Sequence, residues 1–166
     1  MAVRTVLTLP HPVLSGPASS VDRVDDSARS VAQDLVDTMR ASPACVGLAA
    51  PQIGVALRVF VVDVTGHRKA RSCHGMFLLF DPELTSSEGV EVAREGCMSV
   101  PDLTGDVARA KRLTVTGLDV DGEKRTLDVD AFEARAVLHE MDHLQGLLFL
   151  DRVAGPHALF QRKVYR

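Results

Sequence analysis

The residues best suited to chemistry are His139-Glu140-Met141-Asp142-His143, an H-E-x-x-H run flanked by Ala134-Arg135-Ala136-Val137-Leu138 and by Leu144-Gln145-Gly146. On a helix, positions four apart stack on one face, so both imidazoles can reach a single metal ion with the Glu140 carboxylate beside its water. That is the kernel of a hydrolytic metal centre; the plainer alternative is a charged helix whose two histidines face each other without a ligand. Two imidazoles do not complete such a centre, because catalytic sites of this type use three protein ligands and keep one position open. Cys97, Cys73, Cys45, His11, His67, His74, His157 and the acidic residues all qualify for the third place, and composition does not choose among them.

Local context is more informative. In Glu95-Gly96-Cys97-Met98-Ser99-Val100-Pro101, Gly96 allows close backbone approach and Pro101 is expected to end any extended pairing, which suits a cysteine held at the rim of a cleft. Read alone, Cys97 is as well explained as an inert buried thiol. Val46-Gly47-Leu48-Ala49-Ala50-Pro51-Gln52-Ile53-Gly54 is a small-residue loop that a ligand or second chain could approach, with Gln52 offering an amide donor and acceptor. By itself it reads as a packed turn with Gln52 on the surface.

The elements that must position these groups follow from periodicity. Residues 1–23 are rich in Pro, Ser and Gly and read as an extended lead-in across the surface. From Asp25 to about Ser42, apolar residues at three-and-four spacing predict an amphipathic helix, with Asp25 and Asp26 at its positive amino end and Pro43 after it. Strands are expected over Arg58 to Val64, Gly75 to Asp81 and Gly89 to Ala93, and a hairpin pairs Leu113 to Val120 with Lys124 to Val129 around Asp121-Gly122. A second helix runs from about Ala131 to Gln145, with Asp130 as amino cap and Gly146 as its stop, and its apolar residues wrap most of the circumference. Strands and helices do not alternate regularly, so the fold class is α+β: a single compact domain over residues 1–166, of antiparallel strands packed around a central metal-binding helix.

Bulk properties narrow the function. At 166 residues, 46% hydrophobic and 25% charged, the chain is an ordinary globular domain, and a net charge of −3 argues for no DNA partner and no anionic membrane. Pro10 and Pro12 interrupt the start before any leader-like apolar run, and no segment is long enough to span a bilayer, so a cytoplasmic enzyme is expected. Three cysteines without framework spacing should be thiols, free or on a metal. The tail from Asp151 carries Arg152, Arg162, Lys163 and Arg166, which could make a transient contact with ribosomal RNA, although with only four cations a solvated tail is the simpler reading.

Taken in order, Gly47-Leu48-Ala49-Ala50-Pro51-Gln52, Glu95-Gly96-Cys97-Met98-Ser99 and His139-Glu140-Met141-Asp142-His143 closely resemble the three signature motifs of the peptide deformylases. The resemblance runs from His11-Pro12-Val13-Leu14 to Gly146-Leu147-Leu148-Phe149-Leu150-Asp151. It implies that Cys97, His139 and His143 hold one divalent metal, ferrous iron (Fe2+) first, with zinc, nickel or cobalt able to substitute. It implies a monomeric hydrolase acting on N-formylmethionyl peptides to release formate, with Glu140 as base and then acid. Gln52 and the Met98 backbone N–H would stabilise the oxyanion, and backbone groups of Val46, Gly47 and Gly96 would pair with the peptide. Three positions depart from the family pattern. Cys45 stands where a glycine is common, Met98 replaces a frequent leucine, and Thr104 lies where many bacterial members have a basic residue.

Three other classes share part of this pattern. A zincin peptidase would need a downstream ligand, with only Asp151 and His157 available; a cysteine hydrolase would pair Cys97 with a histidine; a non-catalytic paralogue would hold metal and bind formylated peptides without turnover.

Overall fold

A computed structural model describes residues 2–163. Its two α-helices are α1 (Asp26–Ala41) and α2 (Ala131–Leu144). The strands are β1 (Gly47–Ala49), β2 (Val59–Val62), β3 (Phe77–Glu88), β4 (Glu91–Cys97), β5 (Val100–Arg109), β6 (Arg112–Leu118), β7 (Lys124–Asp130) and β8 (Leu159–Gln161). They form a five-stranded sheet in the order β1-β2-β3-β6-β7 and a three-stranded sheet in the order β4-β5-β8, antiparallel throughout. The expected α+β class, with antiparallel strands around a central helix, is what the chain adopts.

The alternation of side chains along the strands explains why two helices are needed. In β2, Phe60 and Val62 join a core with Phe77, Leu79, Val137 and Leu144, while Val59 and Val61 join another with Leu35, Val36 and Met39 of α1. Successive residues of a strand point to opposite faces, so an all-apolar strand must be covered on both. The larger sheet is therefore sandwiched, α1 on one face and α2 on the other. A third cluster of Cys97, Val100, Val107, Leu148 and Phe149 fills the space under the smaller sheet.

Both helices start one residue after an aspartate, but the two aspartates act differently. Asp25 caps α1 by accepting from the Ala28 N–H at 2.9 Å. Asp130, expected to cap α2, instead accepts from the Ser72 N–H at 2.9 Å, tying the 67–76 loop to the end of β7. Gly146 stops α2 as expected, with φ +79 and the backbone of Ser15 only 2.8 Å from where a Cβ would stand.

Several boundaries needed correction. The extended run at Arg58 to Val64 shortens to β2, and Gly89 is a turn between β3 and β4 (φ +72) rather than the start of a strand. Pro101 does not end pairing, because β5 begins at Val100. It is tolerated at a register shift, where Gly96 pairs with Thr104 but Cys97 with Val100, so a missing N–H costs no ladder bond. The lead-in is held more firmly than a surface crossing requires: the Leu7 N–H donates to the Gln52 carbonyl at 2.7 Å and the Leu9 N–H to the Ser99 carbonyl at 3.0 Å. Arg166 lies outside the described residues. Among the described residues no helix is long and apolar enough to cross a membrane.

Candidate metal centre and cleft

Three elements converge on one cleft of about 300 Å³. The end of β4 delivers Cys97, α2 delivers His139, Glu140 and His143, and the short 3-10 turn after β1 (Ala50–Ile53) delivers Gln52. The ligand atoms of Cys97, His139 and His143 lie within 4.8 Å of one another, and Cys97 Sγ is 3.4 Å from His143 Nε2. Of all the candidates for a third ligand, Cys97 is the one beside both histidines. Several of the others are engaged elsewhere. His11 accepts from the Val13 N–H, His74 contacts Glu133 at 2.7 Å, Cys73 is exposed beside Thr65, and Asp151 caps the Leu148 N–H. His67 stacks on Phe132 at the cleft wall, and Cys45 lines the cleft with its thiol donating to the Gly47 carbonyl at 3.2 Å.

The chemistry of the donors fits a divalent cation. His139 Nδ1 is held by Glu95 Oε1 at 2.8 Å, which leaves Nε2 for a ligand, the usual arrangement when a carboxylate orients a metal-binding imidazole. Burial disfavours charge on His139, but hydrogen bonds to Cys97 and Glu95 outweigh it and hold this imidazole well above its ordinary value. Burial and the charge of His139 push His143 well below, toward the neutral form that ligates. Glu140 is buried, and among the described residues its Oε2 has no hydrogen-bond partner, a costly state for a carboxylate. Burial lifts it to about 7, against the opposing charge of His139.

Glu95 anchors this arrangement. It accepts from Arg109 through both oxygens at 2.8 and 2.9 Å, from Arg135 at 2.7 Å and from His139. Burial alone would raise it, yet the hydrogen bonds from Arg109 and His139 hold it well below the ordinary carboxylate range. Arg109 also donates to Asp142 at 2.6 Å, and Asp142 receives Arg152 on both oxygens at 2.7 and 2.8 Å. The two acids within the H-E-x-x-H run thus have separate tasks: Glu140 faces the cleft and Asp142 binds the helix to β5.

Gln52 is fixed at both ends. Its Oε1 accepts from the Ala49 N–H at 3.0 Å, and its Nε2 donates to Ser99 Oγ at 3.1 Å with Cys97 Sγ at 3.6 Å. Val46, Gly47, Gly96 and Met98 all line the cleft. A Cβ on Gly47 would stand 2.8 Å from Glu140 Oε1 and 3.1 Å from its Cγ. Gly47→Ala is therefore expected to displace the carboxylate and lower kcat/KM by about a hundredfold, the scale set by roughly 1 Å of misplacement, with folding stability little changed. Comparing kcat/KM with the unfolding midpoint checks it.

The polypeptide deformylase family model matches residues 3–158. The chain belongs to this family. It is 42% identical to the peptide deformylase of Desulforudis audaxviator over 164 residues, covering 98% of this chain and 99% of that one. It is also 42% identical to that of Thermomicrobium roseum over 154 residues, covering 92% of this chain and 87% of that protein. The Ehrlichia chaffeensis peptide deformylase structure superposes with a TM-score of 0.87 at 30% identity, covering 92% of this chain and 89% of that chain. The Synechococcus elongatus peptide deformylase, in complex with actinonin, gives 0.82 at 34%, covering 92% and 79%. As a deformylase the chain is a metal-dependent hydrolase that removes the N-formyl group from the formylmethionine of nascent polypeptides, releasing formate.

Sequence reasoning missed the roles of Glu95, Arg109, Arg135, Asp142 and Ser99, whose hydrogen bonds hold the candidate site residues in place. Glu95 and Asp142 sit directly inside the motifs, two positions before Cys97 and one before His143, and that adjacency was the available signal.

Proposed function

We propose that the deformylase reaction runs on Cys97, His139 and His143 as metal ligands, Glu140 as proton carrier and Gln52 with the Met98 backbone N–H as oxyanion donors. The observation that carries this is the unpartnered, buried Glu140 oxygen beside three convergent ligand atoms. A divalent ion held there would act as Lewis acid and make water acidic enough to attack near neutral pH. Glu140 takes the proton from that water and returns it to the nitrogen leaving the formyl carbon. One Gln52 N–H is occupied by Ser99, which aims the amide; the other, along the long contact with Cys97, is the donor for the formyl oxygen as negative charge grows on it. The backbone of Val46, Gly47 and Gly96 pairs with the extended peptide, between the edge strands β1 and β4.

Ferrous iron is the ion we assign, with zinc, nickel or cobalt able to occupy the same thiolate and imidazole set. Anaerobic purification with metal analysis, alongside formate release from a short N-formylmethionyl peptide, tests the reading. Cleavage of a peptide bond in place of formate release would overturn it in favour of a peptidase. Cys97→Ser is expected to lower metal retention at least tenfold, because a neutral hydroxyl replaces a thiolate; metal content after dialysis measures it.

Glu140 must be ionised to take a proton, and burial lifts it to about 7 while a neighbouring dication favours the carboxylate. The acid limb of the kcat/KM profile is accordingly expected at or below pH about 7, and it should vanish with the residual activity of Glu140→Gln.

We further propose that residues 1–166 act as one domain and a monomer in the cytoplasm, which sedimentation and fractionation test. A transient ribosome contact is a proposal that salt-dependent cosedimentation tests. Arg152 is paired with Asp142, so such a contact would rest on the other tail cations.

A further inference from the structure

The C-terminal segment brings to the cleft a cation that the reaction above does not use. After β8, the Arg162 N–H donates to the Asp102 carbonyl at 2.9 Å, which pins the chain beside β5. The side chain then turns over Gly96: its Nη2 lies 2.5 Å from where a Cβ on that residue would stand and 3.4 Å from the Cys97 carbonyl. Thr104 Cγ2, 3.5 Å from the same point, shares this face. A side chain at 96 would displace the guanidinium from this position.

The three arginines lining the cleft are answered differently. Arg135 is spent on Glu95 at 2.7 Å, and Arg94 on Asp106 at 2.8 Å while it stacks on Phe160 with 3.7 Å to the ring centroid. Arg162 is exposed, and among the described residues its side chain has no carboxylate partner, only the carbonyl of Cys97. The surroundings carry the same sign. Arg68, Lys69 and Arg71 line a hollow that shares Arg94 and Arg135 with the cleft, and Glu91 is its one lining carboxylate. In a chain of net charge −3 this is a local positive field at the cleft mouth.

We propose that Arg162 is a specificity-determining residue that binds a carboxylate carried just beyond the formylated methionine. The inference rests on the deformylase reading of the cleft. An extended peptide advances about 3.3 Å per residue, and Arg162 touches Gly96 and Cys97, so it meets the substrate one or two residues past the reacting bond. The carboxylate is an acidic side chain there or the terminal carboxylate of a very short peptide. A planar guanidinium suits either, through paired N–H donors.

The test compares formate release from N-formyl-Met-Glu-Ala amide with its Gln counterpart, and from N-formyl-Met-Ala free acid with its amide. The first pair reports the side chain, the second the terminus. In at least one pair the carboxylate substrate is expected to have a kcat/KM roughly three- to tenfold higher, through KM, with the ratio shrinking as salt rises. Arg162→Gln should abolish that ratio and Arg162→Lys should restore part of it. Lys124→Gln, the same loss of charge at the start of β7, should leave it intact. Equal values within both pairs, or a ratio that survives Arg162→Gln, overturns the proposal. Dissociation constants of the same peptides on metal-loaded Glu140→Gln give the ratio without turnover. Absence of formate from every peptide would count against the deformylase reading, whereas formate from all four without preference would count against Arg162 alone.

Discussion

Glu140→Gln is expected to retain its metal and lower kcat by about two to four orders of magnitude, the range typical of losing a positioned proton carrier. Glutamine has the same shape, so the close contact with Gly47 survives and KM should change little. What is lost is a group that can take a proton in one half of the reaction and return it in the other. Formate release and metal content measured on the same preparation check both halves; a variant with wild-type kcat would remove Glu140 from the mechanism. The same substitution has a second, opposite effect on the metal-free protein. A carboxylate raised to about 7 in the fold from an ordinary 4.5 keeps its proton in the folded state where the unfolded chain has lost it, so it costs stability as pH rises across that window. Above the window the metal-free Gln variant should be the more stable, by up to about 3 kcal/mol, in denaturant unfolding.

Glu95→Ala is expected to be the most destabilising single change in the site. It would leave Arg109 and Arg135 buried against a neutral methyl and free His139 Nδ1 from its partner. Breaking a buried ion pair from one side costs about 3–5 kcal/mol, because the stranded charges cannot return to water. The pH dependence identifies the cause. Glu95 is held below the ordinary carboxylate value, so its contribution is fully present above about 4.5 and is lost as pH falls further. The stability gap between wild type and Glu95→Ala should therefore narrow in acid, and a gap independent of pH would assign the effect to lost packing instead.

The helical part of the candidate site was legible in the sequence because H-E-x-x-H encodes geometry: helical periodicity alone brings His139 and His143 together. Cys97 and Gln52 were not derivable that way, since their approach depends on the register of β4 and on a turn after a three-residue strand. The motif resemblance supplied both. Helices α1 and α2 and the β6-β7 hairpin followed from periodicity, whereas β1 and β8 are too short to display any. β5 was hidden by Pro101, whose usual meaning is overridden by a local bulge. The buried charges were hidden for another reason. Glu95, Arg109 and Asp142 look like surface residues in composition, and only the folded chain reveals that they neutralise one another. Arg162 was read as part of a solvated tail because nothing in four scattered cations says that β8 will turn one of them back over Gly96.

Strand β4 has one more consequence. It is an edge of its sheet, with Val92 64% exposed near its outer end and Val90, just before the strand, 68% exposed. An uncovered edge of this kind is a template on which other chains can polymerise. Alternation along β4 sets Arg94 on the same face as Val92 and Glu91 on the opposite one, and Arg135 occupies the Glu91 carbonyl at 2.8 Å. Charged residues beside an exposed apolar position are the usual guard of a strand edge against pairing with another copy, so the charges at the mouth of the cleft stand where both the proposed peptide pairing and such a guard would need them.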